Sequence, residues 1–255
     1  MEAEAFSISA VSAETLLLVA AVAYLSSVLG GLAGTGVGLL MLPLLVPIVG
    51  IKGVVPVISV AMLLGSTSRL WVFRGDVDWS VVRRILTGAV AGVIFGAWIY
   101  DWLPAQALYV LIGAFLVIAV PARRFFERRN KVLRVGAVGA AVFGFGYGTV
   151  SGSLSGGGPI LVALLLGMGL RAAAVIGTKA GVSIVMHSLK TIAFGAFGLL
   201  NLELALAALL IGVFTLPGAY TAKWMVDRMQ LRLHTAIVDI AIVVGGLSLF
   251  WRLLA

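Results

Sequence analysis

The residues best suited to bind a ligand lie in one serine- and glycine-rich stretch, TVSGSLSGGGPILVALL, at positions 149–165. Pro159 suits the first turn of a helix, where no N–H is needed, so a helix is predicted to begin at about Gly158. The free N–H groups and positive dipole at such an end attract an oxyanion, and glycines leave those groups uncovered. The residues expected to bind are Ser151, Ser153, Ser155, Gly156, Gly157 and Gly158.

A similar stretch occurs in the first half of the chain. The run GTGVGLLMLPLL from Gly34 resembles LSGGGPILVALL from Leu154, an offset of 120 residues. Downstream, GIKGVVPVIS from Gly50 resembles GLRAAAVIGT from Gly169, an offset of 119, and two matches in order indicate a duplication. The corresponding tip would contain Gly34, Thr35, Gly36 and Gly38. Together the two tips are predicted to enclose a small tetrahedral or pyramidal anion.

Ionisable residues within apolar segments are costly to bury and are therefore candidates for function. Lys179, Ser183, His187 and Lys190 are spaced four, four and three residues apart, which places them on one face of a helix. Such a face could line an anion route, and His187 could change its charge near neutral pH. Two alternatives stay open: Lys190 could extend to the outer interface, and His187 could be a hydrogen-bonded packing residue.

Four further polar residues in apolar segments are candidates. Ser59 corresponds to Thr178 at the 119-residue offset, so each half places a hydroxyl at an equivalent position, and both are predicted to contact the substrate. Arg69 could attract an anion, or could extend into the inner headgroups. Asp239 could pair with Lys179 or carry a coupling proton. In contrast, the glycines spaced by four, Gly88, Gly92 and Gly96, are predicted to serve helix packing.

Membrane-spanning helices must position these residues. The 255 residues are 62% hydrophobic and 11% charged, whereas soluble domains contain about 25% charged residues. Most apolar segments approach the roughly 20 residues that a helix needs to cross a bilayer. The predicted fold class is therefore an all-α polytopic membrane protein within a lipid bilayer. Its ten segments span approximately 14–33, 37–50, 53–72, 81–101, 105–120, 133–153, 158–170, 172–196, 203–222 and 234–253.

The ten segments divide into two halves. Residues 1–122 are predicted to form the first repeat, 123–134 a basic cytoplasmic linker, and 135–255 the second repeat. Five segments in each half turn the second half upside down, the inverted-repeat arrangement of secondary transporters. Segments two and seven are short, and either re-entrant hairpins or short full spans fit them. Irregular backbone at that depth is tolerated where protein or a water-filled cavity covers it.

The charge pattern predicts the topology. Most of the net charge of +8 comes from connections after segments three, five, seven and nine, which lie on one side if the segments alternate. Basic residues mark the cytoplasmic side, so both termini are predicted to be periplasmic. Topology explains the basic excess, and no nucleic-acid partner is expected. The start, MEAEAFSISAVSAE, lacks the basic region of a signal peptide, so the first segment is expected to remain in the mature protein.

The sequence contains no cysteine, which excludes disulfides and thiolate metal sites. No metal or other cofactor is expected. A homodimer and the coupling ion, a proton or another ion, stay open.

The two motifs resemble the TauE/SafE family of sulfite and organosulfonate transporters, which is related to a wider thiosulfate-transporting group. The resemblance rests on GGLAGTGVGLLMLPLL, on SGSLSGGGPILVALLLGMGLRAAAVIGT and on Lys190, and the segment plan also fits. Thr35 and Val37 stand where the family usually has glycines, and Ala163 replaces a common proline. The resemblance implies a bacterial inner-membrane transporter for sulfite or an organosulfonate, with export favoured. Lack of cysteine argues against thiol-assisted handling of thiosulfate.

The leading prediction is a transporter that works by alternating access, with the small anion held at the tips. An anion channel is the nearer alternative, because tips that meet at mid-depth could also form a filter. An intramembrane serine hydrolase would use Ser155 and His187, and would need a nucleophile, a base and an oxyanion hole in contact. The run GSLSGG lacks the G-x-S-G spacing of rhomboid-like proteases, so no enzyme activity is expected.

Overall fold

The structure is a computed structural model that describes residues 13–32, 37–128, 136–154 and 157–226, together with 243, 246–249 and 251. Apart from one 3-10 turn, Arg74–Asp76, the regular structure in these ranges is α-helical. The helices are α1 (Ala13–Leu32), α2 (Val37–Val72), α3 (Trp79–Trp102), α4 (Ala105–Arg128), α5 (Ala137–Leu154), α6 (Gly158–Gly167), α7 (Ala172–Ala196) and α8 (Leu202–Val226).

These helices follow the predicted segments closely. Helix α2 contains segments two and three, which join at Gly50, where a φ of +72° interrupts the helix. Helix α6 begins at Gly158 with proline in its first turn, which confirms the predicted start. One boundary differs: α4 runs to Arg128, so residues 123–128, assigned to the linker, are helical. Their arginines and glutamate favour helix, so the helix outlasts its apolar part. Most of segment ten lies outside the described residues.

The helix lengths and compositions agree with an all-α polytopic membrane protein. Within the described residues, three helices are long and apolar enough to cross a membrane, namely Met41–Val72, Trp79–Trp102 and Leu202–Met225. Shorter apolar helices are Leu17–Leu29, Ala105–Ile118 and Gly158–Gly167. At 1.5 Å per residue α6 extends only about 15 Å, half the thickness of a hydrocarbon core of about 30 Å. Helix α6 alone is therefore too short to cross.

Helices α3 and α5 pack backbone against backbone. A Cβ atom on Gly88, Gly92 or Gly96 would collide with a backbone oxygen of α5. Glycines of α5 face α3 in the same way, at positions 144, 148 and 152. Small residues allow membrane helices to approach this closely, and the predicted packing role of the α3 glycines is confirmed. The contact holds the C-terminal end of α5, which carries the serine-rich motif.

The beginning of α3 is fixed to α7. The side chain of Asp78 caps α3 by accepting hydrogen bonds from the N–H groups of Ser80 and Val81. The N–H of Asp78 donates to Oγ1 of Thr178 at 2.9 Å. Because α5 packs on α3 and α3 on α7, the three helices position the end of α5 and the beginning of α6 against the polar face of α7.

Candidate anion-binding site

The second glycine-rich tip lies between the C-terminal end of α5 and the N-terminal end of α6. The N-cap residue of α6 is Gly157, which has no side chain with which to cap the first N–H groups. The first backbone hydrogen bond of the helix runs from the N–H of Leu161 to the carbonyl of Gly157. This end of α6 therefore has the geometry that the Gly-Pro sequence predicts, an N-terminus whose donors are free of capping by the N-cap side chain.

Tyr147 forms one wall of the tip. A Cβ atom on Gly157 would lie 2.8 Å from Cε2 of Tyr147 and 3.2 Å from Cβ of Ser151, so only glycine fits. The Tyr147 hydroxyl forms hydrogen bonds with the side chains of Ser151 and Ser183. The buried tyrosine thus connects α5, the beginning of α6 and the polar face of α7. Sequence reasoning missed Tyr147, although its spacing of four from Ser151 places both on one face of α5.

Lys179 brings a cation to the beginning of α6. A Cβ atom on Gly158 would lie 3.3 Å from Nζ and 3.4 Å from Cε of Lys179. Both residues are partly exposed. An ammonium group and the positive end of a helix dipole repel each other, and an anion between them interacts favourably with both. The predicted site residues Gly158 and Lys179 are therefore brought together in an arrangement suited to an anion.

Lys190 lies at the opposite pole, the C-terminal end of α5. It is fully buried, and its Nζ donates a hydrogen bond of 3.1 Å to the backbone carbonyl of Ser151. The last four carbonyls of a helix have no helical partner and carry the negative end of the dipole. A lysine there satisfies one carbonyl and offsets that negative potential. Lys190 therefore lies inside the protein, and the alternative that it extends to an outer interface does not fit.

Two buried basic side chains complete the cluster. His187 is 9% exposed and Arg69 is 6% exposed, and Nδ1 of His187 and Nη1 of Arg69 have no hydrogen-bond partner. His187 is near enough to Lys190, Arg69 and Lys179 to interact with all three electrostatically. Arg69 also acts on Lys179. Side chains of α2 and α7 thus converge into one electropositive region beside the tip.

The other predicted residues are less directly connected with the tip. Ser59 donates to the carbonyl of Val55 at 2.7 Å, and Ser153 to the carbonyl of Thr149 at 2.8 Å, both within their own helices. Oγ1 of Thr178 accepts a hydrogen bond from the N–H of Asp78 at the beginning of α3. Gly38 lies in the first turn of α2. Positions outside the described residues are Gly34, Thr35, Gly36, Ser155, Gly156 and Asp239.

A helical membrane chain with basic side chains beside an N-terminus of this kind has the features of an anion transporter. The chain belongs to the TauE/SafE family: residues 19–249 match the family described as "Sulfite exporter TauE/SafE". Members are membrane transporters and not enzymes, which argues against the serine hydrolase. Membership implies transport of sulfite- or sulfonate-type anions by a multi-pass membrane protein. No curated protein and no solved structure matches the chain.

Proposed function

We propose that the chain is a secondary transporter that exports sulfite or an organosulfonate by alternating access, with the anion bound at the N-terminal end of α6. The observation that carries this proposal is the position of the Lys179 ammonium beside Gly158. N–H groups of the first turn would hold the oxygens of the anion, and Lys179 would balance its charge. Ser151, Ser183 and Tyr147 add hydroxyl groups around the tip.

The geometry around two glycines supports the inverted repeat. Gly50 and Gly169 correspond at the 119-residue offset, and both have positive φ, +72° and +84°. Each joins a short apolar helix to a long one: residues 37–49 to the rest of α2, and α6 to α7. Left-handed backbone favours glycine, so equivalent breaks at equivalent positions are expected of a duplicated unit. We propose that both short helices are re-entrant and bring their glycine-rich ends together near mid-membrane.

The packing of the α6 tip favours a carrier over a channel. The Tyr147 ring lies against Gly157, and its hydroxyl is bonded to both α5 and α7. A channel filter must let ions bind weakly and leave along an open path. A tip whose glycine is covered by a fixed aromatic ring is closed on that side. It therefore fits a site that opens when helices move.

The position of basic residues supports a cytoplasmic side for one end of the bundle. Arg74, Arg83 and Arg84 are exposed near the α2–α3 connection. Lys223, in the last turn of α8, places its Nζ 4.8 Å from the centre of the Phe73 ring, at the end of α2. Two predicted basic connections thus lie at the same end. We propose a bacterial inner membrane, this end in the cytoplasm, and both termini in the periplasm.

Transport in proteoliposomes tests the proposal. Uptake of ³⁵S-labelled sulfite and of a labelled sulfonate would be measured under oxygen-free conditions, with and without a pH gradient. We expect saturable uptake by the wild type and a loss of at least tenfold in Lys179→Gln. The matched control is Lys223→Gln, which removes a lysine from the helix end and should transport normally. Absence of saturable flux of any sulfur anion in the wild type would reject the proposed function.

A further inference from the structure

Arg69, in the last turn of α2, is a buried cation with a hydrogen-bond donor that no described group satisfies. Its side chain is 6% exposed, and Nη1 has no hydrogen-bond partner. A guanidinium carries five N–H donors in a planar fork, and burying it unpaired is costly. A native structure pairs such a group with an acceptor, most effectively with an anion.

Gly65, one turn earlier in α2, lies against this guanidinium. A Cβ atom on Gly65 would lie 3.3 Å from Nη2 of Arg69 and 2.9 Å from Oγ1 of Thr215 in α8. Arg69 and Thr215 therefore both lie against Gly65, whose lack of a side chain lets them approach each other there. We call these three residues the Arg69 station.

The hydroxyl groups around the Arg69 station already donate to backbone carbonyls of α8. Thr215 donates to Gly212 at 2.6 Å, Ser68 to Leu216 at 3.2 Å, and Ser27 to Thr215 at 2.7 Å. These contacts tie α1 and α2 to α8 and give the station firm walls. Among the described polar groups at this contact, the Arg69 guanidinium is the one with an unpartnered buried donor.

The station lies next to the cationic region at the α6 tip. The carbonyl of Phe73, directly after α2, would be 2.8 Å from a Cβ atom on Gly177 in α7. Arg69 precedes Phe73 by four residues and Lys179 follows Gly177 by two, so both stand about one turn or less from this contact. Arg69 acts electrostatically on Lys179 and on His187. An anion between such groups would reduce their mutual repulsion.

We propose that the Arg69 station is a second oxyanion-binding site, separate from the α6 tip, from which the anion passes to Lys179. This proposal rests on the proposed function and describes a route by which the anion reaches the α6 tip. A planar guanidinium can hold two oxygens of one anion at once. A sulfur oxyanion or sulfonate presents three oxygens, and two of them can face the Arg69 fork.

Binding stoichiometry tests the station. Equilibrium binding of ³⁵S-labelled sulfite would be measured on the full chain in neutral detergent, without oxygen. We expect two equivalents on the wild type, one on Arg69→Gln, and one on Lys179→Gln. Arg69→Lys keeps the charge but loses the fork, so it should weaken the second equivalent at least fivefold. The Arg69 station would be overturned if the wild type and Arg69→Gln each bound one equivalent of sulfite. It would also be overturned if Arg69→Gln bound none.

A glycine pair on α2 provides a test that does not alter charge. Gly65→Ala would place a Cβ atom 2.9 Å from Oγ1 of the buried Thr215 and 3.3 Å from Nη2 of Arg69. The guanidinium would then have to shift, so this variant should also leave one equivalent. The control is Gly53→Ala, whose Cβ would have its nearest neighbour, Val49 Cβ, at an ordinary 3.5 Å, and two equivalents are expected. Two equivalents on Gly65→Ala would overturn the station even if Arg69→Gln failed to fold.

Two further outcomes separate related explanations. A lipid phosphate shares the chemistry of the free oxyanion, so binding is repeated with added anionic phospholipid. Loss of only the Arg69-dependent equivalent would assign the guanidinium to a lipid headgroup and overturn a sulfur-anion station. No binding to the wild type would reject the proposed function together with the station, whereas one Arg69-independent equivalent would leave the proposed function in place.

Discussion

Gly157 is the residue at which a single added methyl group should weaken both the packing of α6 and the binding of the anion. In Gly157→Ala the new Cβ would lie 2.8 Å from Cε2 and 3.1 Å from Cδ2 of Tyr147, and 3.2 Å from Cβ of Ser151. Carbon atoms pack at about 3.5 to 4.0 Å, so the beginning of α6 and the ring must separate by roughly 1 Å. The tyrosine is buried and bonded to two helices, and α6 is therefore expected to move.

Two measurable effects follow from this displacement. Overpacking costs about 1 to 3 kcal/mol, which lowers the melting temperature of a chain of this size by about 2 to 12 °C. Displacing one N–H donor from a charged ligand costs about 1.5 to 3 kcal/mol, equivalent to a rise in apparent KM of roughly 10- to 150-fold. The assays are thermal unfolding in detergent and sulfite uptake in proteoliposomes.

Two matched variants show whether the ring is responsible. Gly146→Ala adds the same methyl group to α5, where it meets no atom within 4 Å, and should transport like the wild type. Adding Tyr147→Leu to Gly157→Ala should restore part of the lost stability, because the obstructing ring is gone. Normal KM and melting temperature in Gly157→Ala, or a double variant no more stable than the single one, would refute the reasoning.

Three further predictions concern the supports of the site. Lys190→Met leaves the Ser151 carbonyl without its lysine donor and should lower the free energy of unfolding by about 1 to 3 kcal/mol. The measurement is the melting temperature, and an unchanged value would contradict the capping role of Lys190. Gly92→Ala puts a Cβ into the α5 backbone and should abolish a stable fold, measured by size-exclusion chromatography, whereas Gly146→Ala should elute normally. In Gly50→Ala the new Cβ would meet no atom within 4 Å, but alanine would have to adopt a φ of +72°. This strain should lower the free energy of unfolding by about 1 to 2 kcal/mol, measured by thermal unfolding. An unchanged stability would contradict the requirement for a positive φ at this position.

Local signals in the sequence were sufficient for the helix plan and the α6 tip. Gly158 and Pro159 encode the beginning of α6 because the conformational limits of glycine and proline act within one turn. Apolar length encodes the spans, since a bilayer fixes the thickness that a helix must cross. Hydropathy marks the end of the apolar stretch of α4 but not the end of the helix, because charged residues with good helix propensity continue it to Arg128.

Contacts between distant parts of the chain could not be derived in the same way. Tyr147 lies in an apolar, aromatic run, where core packing is the ordinary interpretation, and its hydrogen bonds depend on how α5 and α7 meet. Lys190 caps a helix that ends 36 residues earlier in the chain. Gly65 and Thr215 become neighbours only through the packing of α2 on α8. In each case the residue type was visible, and the partner was set by tertiary structure.

The arrangement of charge at the tip supports different proposed roles for two lysines on one face of α7, Lys190 and Lys179. The end of α5 and the beginning of α6 bring a negative and a positive helix pole close together. Without Lys190, the carbonyls of α5 would repel an anion bound at α6. With Lys190 bonded to the Ser151 carbonyl, that repulsion is offset by a residue that need not touch the substrate. Lys179, which is partly exposed beside Gly158, is the lysine that we propose acts on the anion itself.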